Sequence, residues 1–148
     1  MIFKGLILVS ILSCSIFSQR WIGNYSTGGQ VFRVAVSGNY AYLVDNNYGL
    51  NIIDVTNPRT STWMGSYGAL GSSIQGIALS GDFAYVVGSN GLGVIDISNP
   101  HSPTLAGSFN MQGVARDVAV NGNFAYVADD SNGLRVIDIF LRVPTQQF

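Results

Sequence analysis

Short runs in which apolar residues alternate with small or polar ones fill most of this chain, and clusters of glycine, asparagine, aspartate and serine separate them. Between residues 75 and 109 the alternation predicts four strands. The first lies near Gln75 to Leu79 and turns at Ser80, Gly81 and Asp82; the second runs from Phe83 to Val87 and turns through Gly88 to Gly91. The third runs from Leu92 to Ile97 and stops at Ser98, Asn99 and Pro100. Pro100 and Pro103 keep the next connection extended, and a fourth strand follows from Thr104 to Phe109. The expected product is a meander of short antiparallel strands.

This pattern is written three times. Gly38, Asn39, Tyr40, Ala41, Tyr42 returns as Gly81, Asp82, Phe83, Ala84, Tyr85 and as Gly122, Asn123, Phe124, Ala125, Tyr126, at spacings of 43 and 41. Gly49, Leu50, Ile52, Ile53, Asp54 returns as Gly91, Leu92, Val94, Ile95, Asp96 and as Gly133, Leu134, Val136, Ile137, Asp138. Trp21, Ile22, Gly23, Asn24, Tyr25 has counterparts beginning at Trp63 and Leu105, each 42 residues on. Such a period points to propeller blades, because a four-stranded sheet cannot bury both its faces alone and must stack against neighbours. The expected fold class is all-β: a β-propeller of four-stranded antiparallel blades, with three repeats over about 19–60, 61–102 and 103–148. Val34 to Val36, Ile77 to Leu79 and Val118 to Val120 are expected innermost. Arg20 to Tyr25 is expected to be a strand too, the outermost of a blade whose inner three lie elsewhere. Propellers close with about 4 to 8 blades, so the ring is expected to be incomplete. A fragment of a longer propeller explains this first; a pair of chains making a six-bladed ring, or an open stack, are the alternatives.

Composition narrows the class further. All eight acids are aspartate and Lys4 is the only lysine, so the residues that populate exposed helix positions are nearly missing and a helical bundle is excluded. A net charge of −1 excludes electrostatic binding of nucleic acid. Residues 1–18 carry Lys4 and then an apolar run from Gly5 to Phe17, the anatomy of a signal peptide, with a retained membrane span the weaker reading because a span needs about 20 apolar residues. Cleavage after Ser18 is one reading. The other is lipidation at Cys14, since Ile11, Leu12, Ser13, Cys14 resembles a lipoprotein box, and this is the only membrane attachment expected. Either way the chain is expected outside the cytoplasm, with no disulfide framework.

A hydrophobic strand ending in aspartate, with Gly-Leu ahead of it, recurs at Asn51 to Val55, Gly93 to Ile97 and Arg135 to Ile139, and Asn-Pro follows in two copies. In these features the chain resembles the LVIVD-repeat family of extracytoplasmic bacterial and archaeal proteins over residues 20–139. The resemblance implies a β-propeller and little about mechanism. After Ile139 the third copy departs from the pattern, reading Phe140, Leu141, Arg142, Val143, Pro144.

The chemistry-bearing residues read mostly as structure. Asp54, Asp96 and Asp138 stand one per blade, too far apart to converge on a metal, and each is suited to bond the backbone amides of the turn after it. Gly38, Gly81 and Gly122 are expected to be structural turn residues. Asp129 and Asp130 lack the alternating acids of a calcium loop. His101, the only histidine, has no second ligand or orienting acid beside it. The aromatics at Tyr40, Tyr42, Phe83, Tyr85, Phe124 and Tyr126 recur too regularly for a sugar platform and read as core. A binding site is better sought where the copies differ. Arg33, Gly76 and Asp117 share one repeat position ahead of the inner strands, which makes Arg33 and Asp117 the candidate ligand-binding features of the channel rim.

No catalytic residue, metal site or cofactor is expected. The function expected is an exported propeller that binds or supports, not an enzyme, with an unknown protein or carbohydrate of the cell surface as partner. A fragment of an enzymatic propeller and an adhesion or spacer repeat are the alternatives. Because three blades do not close a ring, self-association is expected.

Overall fold

Glycine sets the strand ends. Gly38, Gly81 and Gly122 have φ of 56°, 55° and 57°, the left-handed backbone that residues with a Cβ adopt only at a cost. Each stands first in a two-residue loop whose flanking residues pair directly: Ser37 with Tyr40, Ser80 with Phe83, Asn121 with Phe124. A glycine in that place makes the type II′ turn, whose twist matches that of the strands it joins.

The computed structural model of the chain describes residues 19–68 and 73–140. Among them are eleven strands: β1 (Val31–Ser37), β2 (Tyr40–Asp45), β3 (Gly49–Asp54), β4 (Thr62–Tyr67), β5 (Ile74–Ser80), β6 (Phe83–Gly88), β7 (Gly91–Asp96), β8 (Thr104–Phe109), β9 (Ala115–Asn121), β10 (Phe124–Asp129) and β11 (Gly133–Asp138). No helix occurs among the described residues. The strands form sheets in the orders β1-β2-β3-β4, β5-β6-β7-β8 and β9-β10-β11, antiparallel throughout. Residues 141–148 lie outside the described residues, as do Met1 to Ser18 with Cys14.

The sheets stack face to face. β1 packs beside β5 and β5 beside β9, so the first strand of each sheet is innermost. Between the first two sheets Tyr42, Val44, Leu50 and Ile52 meet Ile74, Ala84, Val86, Ile95 and Ile97. Between the second and third, Tyr85, Val87 and Leu92 meet Met111, Ala115, Val118, Ala125 and Val127. Side chains alternate along a strand, so Ala84, Val86 and Ile95 face one neighbour while Tyr85, Val87 and Leu92 face the other. The middle sheet is therefore apolar on both faces. Its burial, at about 25 cal/mol per Å² of apolar surface, is the main favourable term holding the stack.

The repeat units 19–60, 61–102 and 103–148 and the sheets differ in phase by one strand, since β4 and β8 close the sheet before them. One expectation is corrected. Arg20 to Tyr25 is not a strand. A strand exists only through hydrogen bonds to a neighbour, and this segment has no strand beside it among the described residues. It is nevertheless seated like one. Gly23 lies against the Pro58 carbonyl so closely that a Cβ there would collide with it, and the equivalent Gly65 of β4 lies in the same way against Pro100. The segment thus occupies the place, relative to the first sheet, that β4 occupies relative to the second.

Among the described residues no further sheet lies over the outer faces of the stack. Val34 and Val36 of β1 are 61% and 64% exposed, and Leu134 and Val136 of β11 are 67% and 55% exposed. These are counterparts of residues packed inside the stack, such as Ile77 and Leu79 or Leu92 and Val94. Phe124, expected in the core with the other paired aromatics, is 44% exposed for the same reason.

Ile95 is fully buried between two sheets, so Ile95→Ala is expected to lower the unfolding free energy by about 2–5 kcal/mol, measured by urea titration. Given its two apolar end faces, the chain freed of residues 1–18 is expected to self-associate; light scattering over a dilution series checks this, and a monomer mass at every concentration contradicts it.

Candidate functional site

The aspartates that end the third strand of each sheet fasten the turn that follows. Asp54 Oδ1 accepts from the Thr56 N–H at 2.8 Å, Asp96 Oδ1 from the Ser98 N–H at 2.9 Å, and Asp138 Oδ1 from the Phe140 N–H at 2.9 Å. Ser98 Oγ adds a bond of 2.6 Å to Asp96. The Thr56 hydroxyl and amide hold the Asp54 carboxyl below its ordinary value, and the Ser98 hydroxyl and amide do the same for Asp96. One residue beyond each aspartate, the N–H of Val55, Ile97 or Ile139 reaches across to the hairpin carbonyl of Asn39, Asp82 or Asn123, each at 2.8 Å. The aspartates serve geometry. Among the described residues no group of three His, Cys, Asp or Glu gathers around a point that would hold a metal.

Arg33, Gly76 and Asp117 lie on the innermost strands beside a register shift in each sheet. Bulges of this kind re-aim side chains at sheet ends. Arg33 Nη1 donates to the Phe32 carbonyl at 3.0 Å, and Asp117 Oδ1 accepts from the Val118 N–H at 3.0 Å. The missing Cβ of Gly76 admits Asp117, whose Cα would stand 2.9 Å from it. The structure therefore brings Asp117 to Gly76, and no ion pair among the described residues joins Arg33 to Asp117.

A second position that differs between the copies carries more chemistry, at the end of the second strand. Asp45 and Asp129 are buried there, and the middle sheet has Gly88. Asp129 Oδ2 pairs with Arg135 Nε at 2.8 Å and accepts from Asn132 Nδ2 at 3.1 Å, while its Oδ1 accepts from the Ser131 N–H at 3.1 Å. Burial pushes the Asp129 carboxyl up, but the Asn132 amide, the Ser131 N–H and the Arg135 charge outweigh it and hold it below the ordinary value. Asp45 instead accepts from Thr27 Oγ1 at 2.6 Å and the Asn47 N–H at 2.8 Å. The residue matching Arg135 in the first sheet is Asn51, which is buried, and its Nδ2 has no hydrogen-bond partner among the described residues. Asn51 lines an open cleft of about 510 Å³ with Tyr25, Thr27, Tyr48, Trp63 and Ser66.

The LVIVD repeat matches this chain over residues 28–69, 71–111 and 112–140. The chain belongs to the LVIVD-repeat family. Each matched range encloses one of the three sheets, in phase with the fold and offset from the units counted along the sequence. No curated protein matches the chain. Among solved structures it is similar to the computationally designed Ika4 protein, a propeller, with a TM-score of 0.63 at 15% identity. That alignment covers 74% of this chain and 66% of the designed one, so the chain spans just under two thirds of that relative's length. A likeness at this identity speaks to the fold alone.

In this LVIVD-repeat protein the polar residues that sequence reasoning passed over, Asp45 and Asn51, share one hairpin, and Thr27 reaches Asp45 from 18 residues away. The visible signal was the divergence of the copies: Asp45, Gly88, Asp129 at one position and Asn51, Gly93, Arg135 at another. His101 stands apart from both, exposed on its turn, where its N–H donates to Asn99 Oδ1 at 3.1 Å. The Arg116–Asp130 pair at 2.7 Å is half exposed at both ends, and contacts of that kind contribute little to stability.

Asp54, Asp96 and Asp129 titrate lower in the folded chain than when unfolded. The stability they add is complete above the ordinary carboxylate value of about 4 and is lost as pH falls through their folded values. Melting temperature is expected to hold steady from about pH 7 to 5 and to drop below about pH 4. Asp96→Ala should lower it by about 3–5 °C at neutral pH and flatten the acid limb, both read from melting curves across a pH series.

Proposed function

We propose that this LVIVD-repeat protein is an exported binding module acting at the cell envelope or outside the cell, with a surface protein or carbohydrate as its partner. One observation carries the reading. The three copies keep the residues that build the sheets and differ where the surface is accessible and concave: Tyr48, Asn51 and Trp63 in the first sheet stand where the second has Asn90, Gly93 and Leu105. Divergence at a cleft on a repeated scaffold is one way a rigid fold acquires a ligand without disturbing its core. Export is supported by the lysine-led apolar run of residues 1–18, and lipidation at Cys14 remains the alternative to cleavage after Ser18. The turn aspartates are engaged with backbone amides and the channel-rim pair with its own strands, which leaves binding as the chemistry this surface offers.

The test is fractionation of a bacterial host expressing the full chain, with mass spectrometry of the recovered N-terminus. The protein is expected outside the cytoplasm, beginning at Gln19 or lipidated at Cys14, and to cosediment with envelope material. Recovery from the cytoplasm with Met1 in place, free of envelope, contradicts the reading.

A further inference from the structure

The cleft between residues 25–27 and strands β3 and β4 has an unusual lining. It presents three aromatic rings, of which Tyr48 and Trp63 are 51% and 52% exposed and Tyr25 38%. It presents the amides of Asn47 and Asn51 and the hydroxyls of Thr27 and Ser66, and it contains no charged side chain. At about 510 Å³ it falls within the size range of ligand sites, about 300–1,000 Å³.

Asn51 is the informative residue. A buried amide without a partner is costly, and native structures keep few of them. In the third sheet the equivalent Arg135 is satisfied by Asp129. In the first, the shorter Asn51 stands in the place of Arg135, and its Nδ2 has no partner among the described residues. The last torsion of an asparagine is soft, so a small rotation presents this donor to a group lying in the cleft.

We infer that this cleft binds a neutral saccharide. Exposed indole and phenol rings offer flat apolar faces to the C–H face of a sugar ring, while uncharged amides and hydroxyls match its hydroxyl groups in both donor and acceptor capacity. An anionic ligand finds no countercharge here, and a wholly apolar one leaves Asn51 as unsatisfied as before. The inference rests on the binding-module reading and narrows its partner to one class. Residues 25–27 complete the site, so it is built by the seating of Gly23 on Pro58 as much as by β3 and β4.

The second sheet supplies fold-compatible variants, because it carries glycine and leucine where the first carries Asn51 and Trp63. Calorimetric titration of the full chain with cello-, chito- and malto-oligosaccharides up to about 10 mM reaches tenfold saturation of a 1 mM site. Saturable binding of at least one is expected, weakened at least fivefold in both Asn51→Gly and Trp63→Leu while their melting curves stay near that of the parent. In Trp21→Phe, which leaves Trp63 as the only tryptophan, the same saccharide should shift the emission to the blue. Absence of binding to all three series, or binding that survives either variant, overturns the saccharide site. If a Cys14→Ala variant, which has no site for a lipid anchor, still cosediments with envelope material in that case, the binding-module reading stands without the saccharide site; if that fails too, both are lost.

Discussion

A sheet of short strands with apolar residues on both faces is stable only between two other sheets, and that condition governs this protein. The middle sheet meets it, with Ala84, Val86 and Ile95 against one neighbour and Tyr85, Val87 and Leu92 against the other. The first and third sheets meet it on one side each, so valines of β1 and Leu134 of β11 stand in solvent where their counterparts are buried. Face burial also explains the glycine hairpins: strands of six or seven residues hold their register only if each turn leaves without splaying them. Even the strand-end aspartates follow, since they satisfy turn amides that would otherwise be left unpaired at the sheet margin.

The scaffold and the cleft use different residues of the same strands. Along β3, Leu50 and Ile52 pack into the stack and Asn51 between them lines the cleft. Because the pleat has a period of two, a change at Asn51 leaves the face of Leu50 and Ile52 untouched, although the buried Ile53 shares the face of Asn51. The same separation operates in the third sheet, where Arg135 spends its charge on the buried Asp129 and yields a closed polar contact instead of an open one. Two sheets with one backbone thus present an unsatisfied amide in one case and an ion pair in the other.

Much of the architecture was legible in the sequence because it is local. Gly81 and Asp82 between alternating runs specify a hairpin, and three anchors in one order specify a repeat. Strand ends agreed to within a residue or two at Phe83, Leu92 and Thr104. What failed was non-local. Arg20 to Tyr25 has the composition of β4, but the hydrogen bonds that make a strand come from a partner the local pattern does not contain. Asn51 was hidden for the same reason: the cleft it lines is closed by Tyr25 and Thr27, from a segment distant in the chain.

The one-strand offset between the repeated sequence unit and the sheet has a consequence for how such chains grow. A unit such as 61–102 holds the outer strand of one sheet and the inner three of the next, so every unit is a stitch across a seam. Tandem duplication of a unit, begun at any point in it, adds one whole blade and one whole seam, and no intermediate leaves a strand unaccounted for in the interior. Each new seam brings its own cleft between an outer strand and the following hairpin, free to drift in chemistry while the stitch holds. Lengthening the protein and diversifying what it recognises are then a single genetic event.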